Sequence, residues 1–310
     1  MINQLKIAKI ASLTGHTGSV YSLEETTGAN TFFSGSGDKV VAKWDVENPG
    51  DGTLLARSSD IIYSLKCDQE RGILLVGQSS GGIHVVNLES RTEERLLQYH
   101  TAAVFDLAFA IKHGLLFSLS GDGELGIMNA FDFSLENKLF LGKGKLRSVA
   151  MNSDESVIAI GAADGSIYIF SLPEMKPLKH FQAHQSGFSV NALCFSPDGN
   201  YLLSGSRDAH LNILEVKNDF HLFKSIPAHN YAIYSISYSP DKNLFATGSR
   251  DKTIKIWDAH TFDVLTRIDK TNNDGHLNSV NKILWHKNSG HLISASDDRS
   301  VMVWKIENLN

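Results

Sequence analysis

The chain has only two cysteines and six prolines in its 310 residues. Two thiols, Cys67 and Cys194, make no disulfide framework, so the fold has to rest on a hydrophobic core, and a reducing compartment fits it. A dominant charge is also missing: 29 basic against 34 acidic side chains give a net charge of −5, with no basic run and no interleaved basic and aromatic stripe. This excludes a nucleic-acid protein that works through a bulk positive field. The opening residues, Met1 to Lys6, lack the apolar core of a signal peptide, and no stretch approaches the roughly 18 apolar residues of a membrane span. The expectation is a protein that stays where it is made, cytoplasmic, or nuclear in a eukaryote. No His-Glu-x-x-His, Cys-x-x-Cys, phosphate-loop or Asn-x-Ser/Thr pattern occurs, so no metal and no cofactor is read.

What the chain does have is a repeat. Asp38, Ser80, Asp122, Asp164, Asp208, Asp251 and Asp298 each precede a short apolar run, at intervals of 42, 42, 42, 44, 43 and 47 residues. Units of about 44 residues with room for four short strands each describe propeller blades. The hydrophobic share of 42% suffices for a packed interior, and no linker or low-complexity stretch divides the chain. The sixth copy is the plainest. Ala228-His229 is followed by strand-like runs beginning at Ile233, Leu244 and Thr253, with Pro240-Asp241 among the turn residues between them, and Val264 to Ile268 supplies a fourth run.

With Ala228-His229 before the first run and Trp257-Asp258 closing the third, the chain resembles the WD-repeat β-propellers. The likeness extends from Gly15-His16 with Trp44-Asp45 to Gly275-His276 with Trp304-Lys305. It implies an all-β fold, a seven-bladed β-propeller of four-stranded antiparallel blades. The expected organisation is one domain over 1–310, with repeats near 13–56, 57–98, 99–141, 142–181, 182–226, 227–273 and 274–310. Six residues follow Trp304, so the last blade lacks a fourth strand of its own. Residues 1–12 are expected to supply it beside Ser300 to Ile306, closing the ring and removing its free edges. The longest connections, 46–53 and 268–279, read as polar, turn-rich surface loops. Cys67 and Cys194 fall in the first strands of blades two and five, three blade steps apart, too far for the roughly 4.4–6.8 Å between the Cα atoms of a disulfide.

The resemblance also accounts for histidines and aspartates that look catalytic. It implies buried tetrads: His16, Ser34, Asp38 and Trp44 in blade one; His229, Thr247, Asp251 and Trp257 in blade six; His276, Ser294, Asp298 and Trp304 in blade seven. Such sets staple strands together, because a buried carboxylate needs its acceptor sites filled. A Ser34 nucleophile with His16 and Asp38 is set aside, since the same set returns in three blades and an active triad needs an exposed serine in a cleft. Blade three keeps His100, Ser118 and Asp122 with Met128 in the Trp position; blade five keeps His184, Ser204 and Asp208 with Leu214. Blade four has only Asp164, with Phe170. Blade two has Ser80 and Val86 and no histidine before its first strand, so blades two and four are expected to be the softest. Gly77 to Gly81 fits the nucleophile-elbow pattern and Gly121 to Gly126 the dinucleotide fingerprint, but both fall at turns between strands, where no helix opens. His276, His286 and His291 are read as one tetrad histidine and two surface histidines, not as a metal site.

In the resembled family, two positions per blade face the narrower top surface around the channel. Here the first set is Tyr21, Tyr63, Phe105, Arg147, Asn191, Tyr234 and Asn281. The second is Gly37, Ser79, Gly121, Ala163, Arg207, Arg250 and Asp297. Tyrosine and arginine offer stiff contact area with a polar end, and guanidinium pairs bidentately with carboxylate or phosphate. The expectation is a non-catalytic protein–protein interaction scaffold, monomeric alone, that binds partner segments on its top face. An apolar or aromatic anchor would lie over Tyr21, Tyr63 and Phe105, with Tyr234 a further aromatic, and an acidic or phosphorylated neighbour over Arg147, Arg207 and Arg250. Two other readings stay open. One is binding of small anions or phospholipid headgroups by the arginines; the other is a propeller hydrolase or lactonase, for which the rim offers only Asp297 and two asparagines.

Overall fold

The computed structural model describes residues 5–26, 28, 30–50, 52–142 and 144–308. Extended runs of five to nine residues pair into seven sheets of four strands each. Blade one comprises 20–25, 31–36, 40–45 and 53–57; blade two 62–68, 73–78, 83–87 and 92–97; blade three 104–110, 115–120, 124–129 and 135–140. Blade four comprises 146–151, 157–162, 166–171 and 176–182; blade five 190–195, 201–206, 210–215 and 221–227; blade six 233–238, 244–249, 254–258 and 264–268. Blade seven takes 280–285, 292–296 and 301–308 from the end of the chain and 5–13 from its start. These are the blades of an all-β, seven-bladed β-propeller.

Burial follows position within each sheet. The second strands Ile73–Gln78, Leu115–Ser120 and Leu244–Ser249 are buried at every residue and are built of apolar residues with only small or uncharged polar ones among them. The fourth strand Thr92–Leu97 is exposed except at Leu97 and carries Glu93, Glu94 and Arg95. The chain forms two compact units, Met1–Leu75 with Val86–Glu93 and Tyr234–Asn310, and Val76–Val85 with Glu94–Ile233. In the first unit, Val20, Phe32 and Trp44 of blade one pack with Ile293, Val301 and Val303 of blade seven. In the second, Phe117 and Leu125 of blade three pack with Ile158 and Ile160 of blade four, and Ile167 and Ile169 of blade four with Leu193 and Leu202 of blade five. Each such side chain contributes about 1.5–3 kcal/mol when fully removed from water.

One backbone device recurs seven times. The residue after the repeat's Asp (Ser80 in blade two) lies in the left-handed region: Lys39, Gly81, Gly123, Gly165, Ala209, Lys252 and Arg299 have φ between 68° and 94°. The preceding carboxylate supports this turn, as in Asp38, whose Oδ1 accepts from the Val40 amide at 3.0 Å. Glycine is obligatory where backbones crowd: a Cβ on Gly123 would sit 2.0 Å from the Gly142 carbonyl oxygen. At Lys39, Ala209, Lys252 and Arg299 the turn is the same, so four repeats carry a cost of conformation that the aspartate's hydrogen bonds offset.

The chain start completes blade seven. Leu5–Leu13 pairs antiparallel with Val301–Asn308, with Leu5 opposite Asn308, Lys9 opposite Trp304 and a bulge between Lys9 and Ala11. Leu13 enters the core between blades one and seven, while Leu5 and Ile7 pack against the core of blades six and seven. Met1 to Gln4 of the expected latch lie outside the described residues, as does Asp51 of the 46–53 connection. The 268–279 connection is more ordered than its turn residues suggest: Lys270–Asn273 forms one helical turn, capped by Asp269, whose Oδ1 accepts from the Asn272 amide at 2.8 Å.

Candidate functional site

The histidines before the first strands reach into their own blades. In blade one His16 Nδ1 lies 2.9 Å from Asp38 Oδ2 and Nε2 lies 2.7 Å from Ser34 Oγ, which accepts from Trp44 Nε1 at 2.7 Å. With the indole donating to Ser34, the hydroxyl donates to Nε2 and the imidazole donates from Nδ1 to the carboxylate, so the chain of bonds suits a neutral histidine. Asp38 also accepts from the amide of Thr17 at 2.8 Å. Blade seven repeats this with His276 at 2.9 Å from Asp298 and 2.8 Å from Ser294, and Trp304 donating to Ser294 at 2.9 Å. In blade six Trp257 donates to Thr247 Oγ1 at 2.9 Å, and His229 is buried.

Blades three and five hold the same bonds without the indole. His100 is 3.2 Å from Asp122 and 2.7 Å from Ser118; His184 is 3.1 Å from Asp208 and 2.7 Å from Ser204. Met128 and Leu214 fill the Trp position as buried apolar side chains. Blade four has the aspartate turn alone: Asp164 Oδ1 accepts from the Ser166 amide at 2.9 Å and from its hydroxyl at 2.6 Å. Blade two contains a pair that the sequence reading missed, His84 Nε2 at 2.9 Å from Gln78 Oε1, both buried. The signal was available, since His84 and Gln78 occupy the places of Ala42 and Ser36 in blade one.

Burial alone would raise the tetrad carboxyls. The hydrogen bond from the facing histidine, with those from the turn amides, outweighs it, holding Asp38 and Asp298 below the usual carboxylate range and Asp208 at about 2. Burial pushes the His100 imidazole down, against the pull of Asp122. Ser34, Ser118, Ser204 and Ser294 are each 0% exposed, so none of these Ser-His-Asp sets presents a nucleophile to a substrate. His100, Asp122 and Glu124 bring three ligand-type atoms within 4.8 Å of one another. In that group Asp122 holds His100 and the Thr101 amide, and one oxygen of Glu124 is paired with Lys138 at 2.7 Å. His286 corrects the sequence reading: it is 1% exposed, not a surface residue, with Nδ1 3.0 Å from Ser289 Oγ and Nε2 3.3 Å from the Thr31 carbonyl oxygen. Both cysteines are free thiols, Cys67 buried and Cys194 half-buried.

The residues expected on the top face fall in both units. In the first unit the Tyr21 and Tyr63 rings meet at 5.1 Å between centroids and 44° between planes. Gly37 lies directly beneath, where a Cβ would stand 3.4 Å from the Tyr21 ring. Asn281 Nδ2 donates to the Val20 carbonyl oxygen at 3.0 Å and to Asp297 Oδ1 at 2.8 Å. Tyr234 is half-buried and Arg250 exposed. In the second unit the Arg147 guanidinium stands 4.1 Å over the Phe105 ring, and Asn191 Nδ2 donates to the Ile233 carbonyl oxygen at 3.2 Å. Arg207 is exposed. The sequence reading gave Phe105 and Arg147 separate tasks. The structure joins them as a cation–π pair, worth about 0.5–1 kcal/mol when exposed and about 2 when desolvated.

A model of the WD domain, G-beta repeat, matches residues 8–45, 136–171, 175–213, 220–258 and 269–305. The matched segments leave out 46–135, where blade two has lost its tetrad and blade three its tryptophan. Relatives include meiotic fizzy-related protein 1 of Schizosaccharomyces pombe, 28% identical over 67% of this chain and 50% of that protein. Protein tipD of Dictyostelium discoideum is 24% identical over 94% of this chain and 48% of its own length. Eukaryotic translation initiation factor 3 subunit I of Aspergillus terreus is 21% identical over 66% of this chain and 65% of its own. The chain thus spans about half the length of the first two. Among the described residues, no helix is long and apolar enough to cross a membrane.

Proposed function

Because this chain belongs to the WD domain, G-beta repeat family, a family of non-catalytic protein-interaction scaffolds, we propose that it holds partner segments on the top rim of its blades. The observation that carries this reading is the Tyr21–Tyr63 pair, two amphipathic rings in contact at 5.1 Å and only half-buried. Rigid aromatic area of this kind is the commonest source of interface hot spots, where one truncation costs about 2 kcal/mol or more. The exposed Arg207 and Arg250 support an acidic or phosphorylated neighbour on the bound segment. The same arginines would serve a second reading, anion or headgroup binding without any protein partner.

Affinity capture from the source lysate tests the proposal, comparing wild type with a Tyr21→Ala, Tyr63→Ala, Arg250→Ala variant shown to melt normally. A partner bound by wild type and lost from the variant is the expected result. Partners retained equally would move the site off the top rim, and capture of anionic vesicles in place of proteins would favour the second reading.

A further inference from the structure

We infer that a cleft between blades six and seven, at the end of the strands away from the tetrad turns, is a second docking site, which takes a large apolar side chain of a partner segment with a lysine or arginine next to it. The turn 239–243 joins the first two strands of blade six, so it lies at the opposite end of that sheet from the Asp251 turn. With blade seven it bounds a cavity of about 220 Å³, walled by Pro240, Leu244, Trp285 and Ile306 and bordered by Asp241 and Asn308. Leu244 and Trp285 are buried, Ile306 is half-buried, and Pro240, Asp241 and Asn308 are exposed, so the cavity leads from solvent to the core that blades six and seven share. Its volume falls short of the roughly 300–1,000 Å³ of a small-molecule pocket and suits a single side chain.

The hydrogen bonds already made around the cavity decide what can enter it. Trp285 gives its indole N–H to the Gly290 carbonyl oxygen at 2.9 Å. Ser239 Oγ accepts from the Leu244 amide at 3.0 Å and donates to Asp241 Oδ1. The interior therefore offers apolar surface, and a polar side chain there would lose its water without gaining a partner from these groups. At the opening the preference changes. Asp241 Oδ1 also accepts from the Asn243 amide at 3.2 Å, and Oδ2 accepts from Asn243 Nδ2 at 3.0 Å. Burial alone would raise this carboxyl, but the hydrogen bonds from Ser239 and Asn243 outweigh it and hold it below the usual carboxylate range, so it is charged at neutral pH. Three donors leave room on a carboxylate with about four lone-pair sites. Among the described residues, no lysine, arginine or histidine forms an ion pair with Asp241. A cation beside the apolar anchor supplies the missing charge, whereas a glutamate or phosphate would be repelled. This preference is opposite to the one proposed for Arg207 and Arg250, so the two surfaces select different segments.

The test titrates the full chain with blocked peptides, Gly-Gly-Phe-Lys-Gly-Gly and its Ala-Lys and Phe-Glu counterparts, at about 150 mM salt, where bulk steering is screened. Binding is read from the indole N–H resonance of Trp285, assigned by its loss in Trp285→Phe. The Phe-Lys peptide is expected to shift this resonance saturably. The Ala-Lys peptide is expected to bind at least about tenfold more weakly, for want of the buried ring, and the Phe-Glu peptide about threefold more weakly. Asp241→Asn is expected to erase the difference between lysine and glutamate. Ile306→Phe, which fills the cavity, is expected to abolish the shift and Tyr21→Ala to leave it unchanged, with melting curves showing that each variant is folded. No shift of the Trp285 resonance at millimolar Phe-Lys peptide, or equal binding of the Ala-Lys peptide, overturns the site. Equal binding of the Phe-Lys and Phe-Glu peptides overturns the basic neighbour. None of these results touches the top-rim reading, which the Tyr21, Tyr63 and Arg250 variant tests separately.

Discussion

Asp208 offers the sharpest test of how the tetrads hold the blades. Its side chain is 9% exposed and accepts from the amides of His210 at 2.9 Å and Gln185 at 3.2 Å while facing His184. Its carboxyl lies at about 2 against an ordinary 3.8. A carboxyl depressed on folding stabilises the native state above its unfolded value, and that contribution is lost as pH falls through the folded value. The difference amounts to about 2 kcal/mol at neutral pH, of which roughly half is gone by about pH 3 and nearly all by about pH 2. The assay is urea or thermal unfolding of wild type and Asp208→Asn across this range. The other carboxyls titrate in both proteins, so the gap between the two curves isolates Asp208. It is expected to be about 2–3 kcal/mol at pH 7, the excess reflecting the mispaired amide against His184, and to narrow below about pH 4. A gap that stays constant from pH 7 to pH 2 would refute the assignment of stability to the charged carboxylate.

Two further outcomes follow from the packing. Removing residues 1–13 strips Leu13 from the core and exposes Val301–Asn308 as an edge, so the melting temperature of the whole protein is expected to fall by several degrees at least, and an unchanged value would show that the latch is dispensable. Burial pushes the Cys67 thiol up to about 12, so native protein is expected to react with a thiol reagent at the half-buried Cys194 alone; two fast thiols before denaturation would contradict the buried setting of Cys67.

Much of this was legible in the residues because a blade is a local object. Its strands are consecutive, its turns are set by an aspartate followed by a left-handed residue, and its tetrad members recur at fixed spacing; sheet order and the latch therefore follow from periodicity once the repeat is seen. The His84–Gln78 pair was harder to see, because a blade that replaces its whole tetrad no longer announces which polar residues share its interior. His286, outside any tetrad position, reads as a surface histidine, yet it is covered and lies within reach of the Thr31 carbonyl oxygen of blade one, 255 residues away in sequence.

The amino-acid sequence by itself determined the number of blades, their antiparallel order and the borrowing of the first strand by the last blade, since these depend on hydrophobic period and turn chemistry within about 45 residues. Only the tertiary structure decided how side chains of neighbouring blades combine: Tyr21 against Tyr63, Arg147 over Phe105, and Asn281 bonded both to Asp297 and to the Val20 carbonyl oxygen of blade one. Those partners lie some 40 to 260 residues apart or depend on side-chain direction. Spacing along the chain fixes which residues take equivalent places in successive blades, but whether a guanidinium or a second aromatic ring lies against a given ring is settled by the packing of one blade against the next.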